Sequence, residues 1–335
     1  MNNTAQNPPG PLTANNATKR LSIIIPNWNG AKFLSPCLDA LRQQSYPTIE
    51  VIVADNASVD GSRELLETRY PEVRLVALPS NRGFTGACNA GLEAANGDYL
   101  VLLNNDTEVD NHWAEEIVAA FDRHPEAGAV ASKMRLFDRR DHLHTAGDLY
   151  RVDGIAVNRG VWQPDDGRFD DERYVFSACG GSSAYRRTAL NDVGLLDDDF
   201  FFSCEDVDLG WRLQLRGWQC VFAPRAIVYH RLAATGGGVT ASFYDGRNVI
   251  YILIKDYPAA LWRKYAMAIF RAQARLAGQA IRSWRGAAAR ARLRGMLAGI
   301  IRIPWLVGKR RRVQATRRVS IQALEAILTP LTGDV

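Results

Sequence analysis

The chain has 335 residues, 47% of them hydrophobic, enough for one large core plus an accessory region and too apolar for a disordered protein. Its net charge of +5 hides an asymmetry: residues 1–245 carry 23 Lys/Arg against 33 Asp/Glu, net −10, and residues 246–335 carry 18 against 3, net +15. Five cysteines, at 37, 88, 179, 204 and 220, form no CxxC pair and leave one over if paired, which speaks against a zinc finger or a disulfide framework and for reduced cytosolic thiols.

Residues 1–20 are polar, rich in Asn and Pro and without an apolar centre, so they read as a disordered leader and not as a signal peptide. From there, short β-branched runs alternate with helical patterns: LSIII (21–25), a helix over 31–44, IEVIVAD (49–55), a helix over 61–69, VRLVAL (73–78), a helix over 85–95, DYLVLL (98–103), a helix over about 111–123, and AGAVAS (127–132). Continuous apolar strands between helices predict an α/β fold, a mostly parallel sheet covered on both faces. The charge break near Gly246 divides an α/β body over 21–245 from a basic, amphipathic helical region over 246–335. No apolar run reaches 18 residues, so no membrane span is evident.

In such sheets ligands bind beyond the carboxyl ends of the strands. Those positions here are Pro26-Asn27, Asp55-Asn56-Ala57-Ser58, Asn81-Arg82-Gly83-Phe84 and Asn104-Asn105-Asp106. Turn chemistry alone explains any one of them, but a carboxylate after both the second and the fourth strand is less easily dismissed. Neither GxGxxG nor GxxxxGK[ST] is present, so a nucleotide would need another way to neutralise its phosphates. A divalent cation on a carboxylate supplies one.

Five segments in order, SIIIPNWNG, VIVADNASVDGS, NRGFTGACNAG, LLNNDTEV and FFSCEDVDLGWRLQLRGW, resemble the inverting glycosyltransferases of family 2, with the GT-A fold, and within them the rhamnosyltransferase-like enzymes of bacterial surface polysaccharide. The resemblance covers about residues 20–255. It implies a nucleotide-binding half (21–132) and an acceptor and catalytic half (133–245). Asp55 would bond the imino N–H of a uracil or thymine, while Pro26, Asn27, Asn81, Arg82, Gly83 and Asn104 would line the nucleotide cleft. Asp106, with His230 after the strand APRAIVYH, would hold Mg2+ or Mn2+; the family's Asp-x-Asp stands here as Asn-Asn-Asp, a form also found in the rhamnosyltransferase-like branch.

SCEDVDLGWRLQLRGW reads as a helix from Cys204, with Leu209 and Leu213 on one face and Asp208 spaced i,i+4 from Arg212. Ser203-x-x-Asp206 resembles a capping box, which by itself would account for the acidic first turn. The resemblance instead makes Asp206 the base that takes the acceptor hydroxyl's proton, with Glu205 next, and the helix N-terminus would keep Asp206 ionised. Gly180-Gly181 would let backbone approach the sugar. Asp148 and Arg186 have no assigned role, and Arg247 is the alternative partner for the leaving group if no metal is used.

The implied reaction transfers a sugar, L-rhamnose from dTDP-rhamnose or a sugar from a UDP donor, to a glycan or lipid-linked acceptor. A processive synthase fits less well, because its Gln-x-x-Arg-Trp motif would need Arg where Gly217 stands. A nucleic-acid-binding module rests on the basic tail alone and does not explain the body's carboxylates. The tail, with Trp262, Trp284 and Trp305 among its arginines, is expected to hold the enzyme in the cytoplasm on the inner face of the membrane through anionic lipids. Truncation after about residue 257 should then abolish vesicle binding and spare nucleotide binding.

Overall fold

The computed structural model describes residues 19–232 and 238–331; of the expected leader, all but Lys19 and Arg20 lie outside them. The first half alternates as the pattern predicts: β1 (Leu21–Asn27), α1 (Ala31–Arg42), β2 (Ile49–Asp55), α2 (Ser62–Arg69), β3 (Arg74–Ala77), α3 (Gly83–Ala94), β4 (Tyr99–Leu103), β5 (Thr107–Val109), α4 (Trp113–Arg123) and β6 (Ala127–Leu136). After β6 come short strands, β7 (Leu143–Thr145), β8 (Asp148–Tyr150), β9 (Ala156–Asn158), β10 (Arg173–Val175) and β11 (Ser182–Arg186), then α5 (Arg187–Val193). After α6 (Glu205–Arg216) and β12 (Gln219–His230) come the helices α7 (Gly238–Lys255), α8 (Ala259–Arg282), α9 (Ala287–Ile301), α10 (Ile303–Ala315) and α11 (Ile321–Ile327).

The main sheet runs β10-β12-β6-β11-β4-β1-β2-β3. Strands β4, β1, β2 and β3 are parallel, β12 runs parallel to β6, and β11 lies antiparallel between β4 and β6. Every residue of β1 is buried, because helices cover both faces and neither can be polar. On one face Leu34, Cys37, Leu38 and Leu41 of α1 pack with Trp113, Ile117 and Phe121 of α4. The other face takes Cys88 and Leu92 of α3 and Leu209 and Leu213 of α6. The fold is GT-A.

Helix α6 is buried on its opposite side too, where Val207, Trp211 and Leu215 join Tyr257, Leu261, Ile269, Leu306 and Leu324 in a third core. Trp211 is wholly buried against the rings of Tyr150, Phe176 and Tyr257. The charge break near Gly246 is therefore no structural break: it falls inside α7, which shares this core with the body. Composition reports which surfaces meet water, and packing ignores it. Helices α7 and α9 touch backbone to backbone, since a Cβ on Gly295 would stand 1.9 Å from the Phe243 carbonyl oxygen.

Buried ion pairs close the same interface. Lys255 of α7 is 2% exposed and bonds Asp197 at 2.6 Å and Asp208 as well; Asp208 also takes Arg212 Nε at 2.9 Å, which realises the expected i,i+4 pair. Lys309 of α10 reaches Asp197 at 2.7 Å and also Asp199.

Candidate active site

The carboxyl ends of β1, β2 and β4 are tied together by side chains. Asn105 Nδ2 donates to Asn27 Oδ1 (2.7 Å), and Asn27 Nδ2 donates to Asp55 Oδ1 (3.2 Å). The other Asp55 oxygen takes Arg63 Nε (2.6 Å) and the Ser58 N–H (3.1 Å). Burial opposes the charge on Asp55, but the bonds from Ser58, Arg63 and Asn27 outweigh it and hold this carboxyl below the usual range. Above this row lies a cleft of about 320 Å³, lined by Pro26, Asn27, Asn81, Gly83, Asn104, Asp106 and His230 among the expected residues.

Four expected residues stand apart from the cleft wall: Glu205 and Asp206 at the start of α6, and two of those expected to meet the nucleotide, Asp55 and Arg82. Asp55 is fully buried and does not line the cleft, and it holds Asn27 from behind. The Arg82 side chain points to Asp198 (3.4 Å), and only its backbone N–H joins the strand-end network, on Asn56 Oδ1 (2.8 Å). Asn56 bridges further to Asn81 Oδ1 and the Gly83 carbonyl, each at 2.9 Å. Gly83 has φ +75°, and a Cβ there would lie 2.4 Å from the Phe201 carbonyl oxygen, so only glycine fits.

Strand β5 explains how Asp106 and His230, far apart in sequence, meet. It pairs antiparallel with the end of β12 in the register Thr107↔His230, and the Arg231 N–H bonds the Asp106 carbonyl (3.0 Å). His230 Nε2 then lies 3.2 Å from Asp106 Oδ1. Behind it, His144 Nδ1 is 3.1 Å from His230 Nδ1. Burial, and then His230, hold His144 down at about 3, so it is neutral and able to accept the Nδ1–H of His230. In that tautomer His230 turns a lone pair toward Asp106.

Carboxylate and imidazole at this separation, beside a buried Asn104 Oδ1 with no hydrogen-bond partner among the described residues, fit a hard or borderline divalent cation. Two protein ligands are few, as expected where diphosphate oxygens and water fill the remaining positions. Among the described residues, one trio of His, Cys, Asp or Glu ligand atoms comes within 4.8 Å: Asp148, Cys179 and Asp206. Burial, then the charge of Asp206, pushes Asp148 up to about 8, and burial raises the Cys179 thiol. A carboxyl and a thiol that keep their protons beside Asp206 make this a proton-holding pocket and a poor cation cage.

Asp206 sits in the first turn of α6 after a strained approach. Phe201, Ser203 and Cys204 have φ of 61°, 68° and 65°, left-handed values that cost about 1–3 kcal/mol each for ordinary residues and persist only under firm restraint. The restraint comes from α7: Asn248 Nδ2 donates to the carbonyls of Phe200, Phe202 and Ser203, and Arg247 Nη2 to those of Asp199 and Phe200. Arg247 is thereby taken up in holding the loop, and is not poised to meet a leaving group. No capping box forms, because the Ser203 hydroxyl bonds Asp245 and Cys204 is the cap without a side-chain bond.

Asp206 Oδ2 accepts the Gly180 N–H (2.7 Å) and Oδ1 the Val207 N–H (2.8 Å). Burial pushes this carboxyl above the usual range, opposed by the backbone N–H bonds from Gly180 and Val207. A raised carboxylate is the better proton acceptor. Glu205 is 5% exposed, and burial followed by the charge of Asp206 pushes it well up. It is thus a buried neighbour of Asp206 whose charge burial opposes.

The Gly180–Gly181 turn joins the two halves of the site. Gly180 holds Asp206, while the Gly181 carbonyl accepts the Asn104 N–H (3.0 Å) at the cleft. Sequence reasoning missed Trp28, Phe201, Phe202 and Thr240 on the cleft wall, and His144 and Asp148 behind it. The run of three Phe before SCED and one of only five histidines were the available signals, but both read equally well as packing. Arg186 is structural, bonding carbonyls of Phe121 and Ala127.

Residues 22–194, just over half of the chain, match glycosyl transferase family 2. The N-acetylglucosaminyl-diphospho-decaprenol L-rhamnosyltransferase of Mycobacterium tuberculosis is 27% identical over 268 residues, covering 73% of this chain and 87% of its own. Among solved structures, the mannosyltransferase of Pyrobaculum calidifontis, in complex with GDP-Man and Mn2+, is similar with a TM-score of 0.53 at 17% identity, over 93% of this chain and 79% of its own. Residues 1–349 of TarS from Staphylococcus aureus give 0.55 at 17% identity, over 88% and 91%. The motifs, the sheet and the family match agree, and the chain belongs to glycosyl transferase family 2.

Proposed function

We propose that this glycosyltransferase inverts the configuration of a sugar, L-rhamnose from dTDP-rhamnose, as it moves it to a hydroxyl of a lipid-linked acceptor in surface-polysaccharide synthesis. The observation that carries the reading is the Gly180–Gly181 turn, which sets the raised carboxylate of Asp206 beside the cleft that ends in Asn104, Asp106 and His230. The acceptor oxygen attacks the anomeric carbon, the bond from that carbon to the donor's diphosphate oxygen breaks, and the hydroxyl proton passes to Asp206. A divalent cation held by Asp106 and His230 would neutralise the diphosphate as it leaves. Asn27 and Asn81 would position the nucleotide, with Asp55 and Asn56 keeping them rigid. The Mycobacterium relative, named for rhamnosyl transfer to a diphospho-decaprenol acceptor, supports donor and acceptor class. Such an acceptor would have the enzyme work at the inner face of the cell membrane. No helix of the described residues is long and apolar enough to cross one.

The test is a thermal-shift screen of dTDP-rhamnose and UDP-sugars, with Mn2+, with Mg2+ and with chelator, since a ligand of the native state raises its stability. dTDP-rhamnose should shift the melt, in metal only, and Asp106→Ala or His230→Ala should remove the metal requirement along with most of the shift. An equal shift in chelator overturns the metal assignment, and a shift with UDP-sugars alone overturns the donor.

A further inference from the structure

Helices α8 and α9 pack on each other and turn one side of each inward. Leu261, Ile269, Ala272 and Ala280 of α8 are buried, as are Ala291, Gly295 and Gly299 of α9. The outward side is also apolar. Met267, Phe270 and Ile281 are 59–70% exposed and, with exposed Ala274, fall within an arc of about 60° at 100° per residue. Trp284 follows in the turn, and Leu297, Ile300 and Ile301 continue the surface on α9, all more than half exposed. An exposed apolar stripe of this kind on two neighbouring helices marks an interaction face.

Charge says what covers it. Residues 257–324 contain sixteen Lys/Arg and no Asp or Glu. The inward cations are matched, Lys309 by Asp197 and Asp199, Arg292 by Asp245, and Arg310 by the carbonyls of Ile254 and Tyr257. By contrast, no ion pair among the described residues engages Arg271, Arg275 or Arg282, which lie on the flank of the α8 stripe. A second copy would bring the same cations together and repel. A nucleic-acid backbone would match the arginines but leave Phe270 and Ile281 in water.

We propose that α8 and α9 lie in the headgroup region of an anionic lipid bilayer, with Phe270, Ile281, Trp284 and Ile300 inserted and Arg271, Arg275 and Arg282 on the acidic headgroups. This deepens the reading of a lipid-linked acceptor and rests on it for its purpose, not for its geometry. The face is rigidly joined to the active site, because α9 packs on α7, whose Thr240 lines the cleft and whose Asn248 holds the loop before Asp206. Truncation after residue 257 is not a usable test, since it would strip Leu261, Ile269 and Leu306 from the core around Trp211.

The experiment floats the full-length protein with vesicles of phosphatidylcholine, with or without phosphatidylglycerol. Binding is expected to the anionic vesicles only, and to weaken sharply as salt rises to about 1 M. The triple substitution F270S/I281S/W284S and the triple R271Q/R275Q/R282Q should each lower affinity by about 10²-fold. Both should leave the dTDP-rhamnose thermal shift unchanged, which keeps this outcome separate from that of the donor reading. The proposal is overturned if the wild type ignores anionic vesicles at low salt. It is equally overturned if the serine triple binds them as the wild type does, or if duplex DNA displaces the protein from them.

Discussion

The strand-end cleft and the outer face of α8 and α9 treat polar groups in opposite ways. Around the cleft amides and carboxylates are oriented by neighbours: Asn105 on Asn27, Asn27 on Asp55, Asp55 on Arg63, Gly180 on Asp206. On the outer face, arginines stand beside exposed aromatics and aliphatics with no ion-pair partner among the described residues. The first arrangement is preorganised, which is what reaction at one carbon demands. The second is adaptable, which suits a fluid surface that offers charge and apolar depth without fixed positions. Between them, Lys255 and Lys309 carry the basic region's charge into the acidic body, so that contrast in composition becomes a bond between regions.

The hardest blow to the preorganised side is Asp206→Asn. Transfer should fall by about 10²–10⁴-fold with donor affinity retained, because the base meets the acceptor and not the nucleotide. Single-turnover transfer set against a donor titration checks it, and near-normal turnover would move the base elsewhere. Next in size is the joint. Lys255→Met removes one of two cations from each acid, leaving Asp208 with Arg212 and Asp197 with Lys309, and should cost about 1–3 kcal/mol, seen as one cooperative melt at lower temperature. Two separate transitions would mean that body and C-terminal helices are independent units.

A pH test sharpens the picture of the base pocket. Asp148 is raised to about 8, by burial first and then by Asp206, whereas an unfolded aspartate titrates near 3.9. Between these values the folded chain holds a proton that the unfolded chain has lost. This group's contribution to stability is therefore full below about pH 4, falls as pH climbs toward about 8, by at most about 1.4 kcal/mol per unit, and is level above. Asp148→Asn removes the slope, so the variant should gain on the wild type from pH 5 to pH 8 in denaturant melts. Parallel curves would show that Asp148 is ionised throughout.

The smallest effect belongs to Arg82→Ala. Its ion pair with Asp198 at 3.4 Å is about half exposed on both sides, and its loss should cost less than about 1 kcal/mol. Donor affinity should also hold, because the backbone N–H and not the guanidinium joins the cleft network. A large loss of donor binding would put the guanidinium on the nucleotide after all.

Much of the cleft was legible. Uninterrupted apolar runs ending in Asn or Asp located β1, β2 and β4 and the polar residues beyond them, because a strand buried on both faces has no other composition open to it. Helix α6 was legible from its i,i+4 spacing, yet only half of its burial was, since nothing local says that Trp211 faces other helices. The local cues that misled were Ser203, which resembled a cap but bonds Asp245 on α7, and Asp55, whose carboxylate is closed off by Arg63 eight residues on. The helix-end argument for Asp206 left out burial, a property of the whole chain, which raises this carboxyl against the backbone bonds that lower it.

Local chemistry along the chain by itself determined the alternation of strands and helices, the placing of polar residues at strand ends and the unequal charge of the two regions, all of which follow from periodicity and composition over a few residues. Tertiary structure alone decided that His230 meets Asp106 through the register of β5 on β12, that Asp148 meets Asp206 in one buried pocket, and which arginines face acids and which face outward. Those are contacts between residues tens to more than a hundred positions apart. Their energies depend on burial and on neighbours that no local pattern encodes.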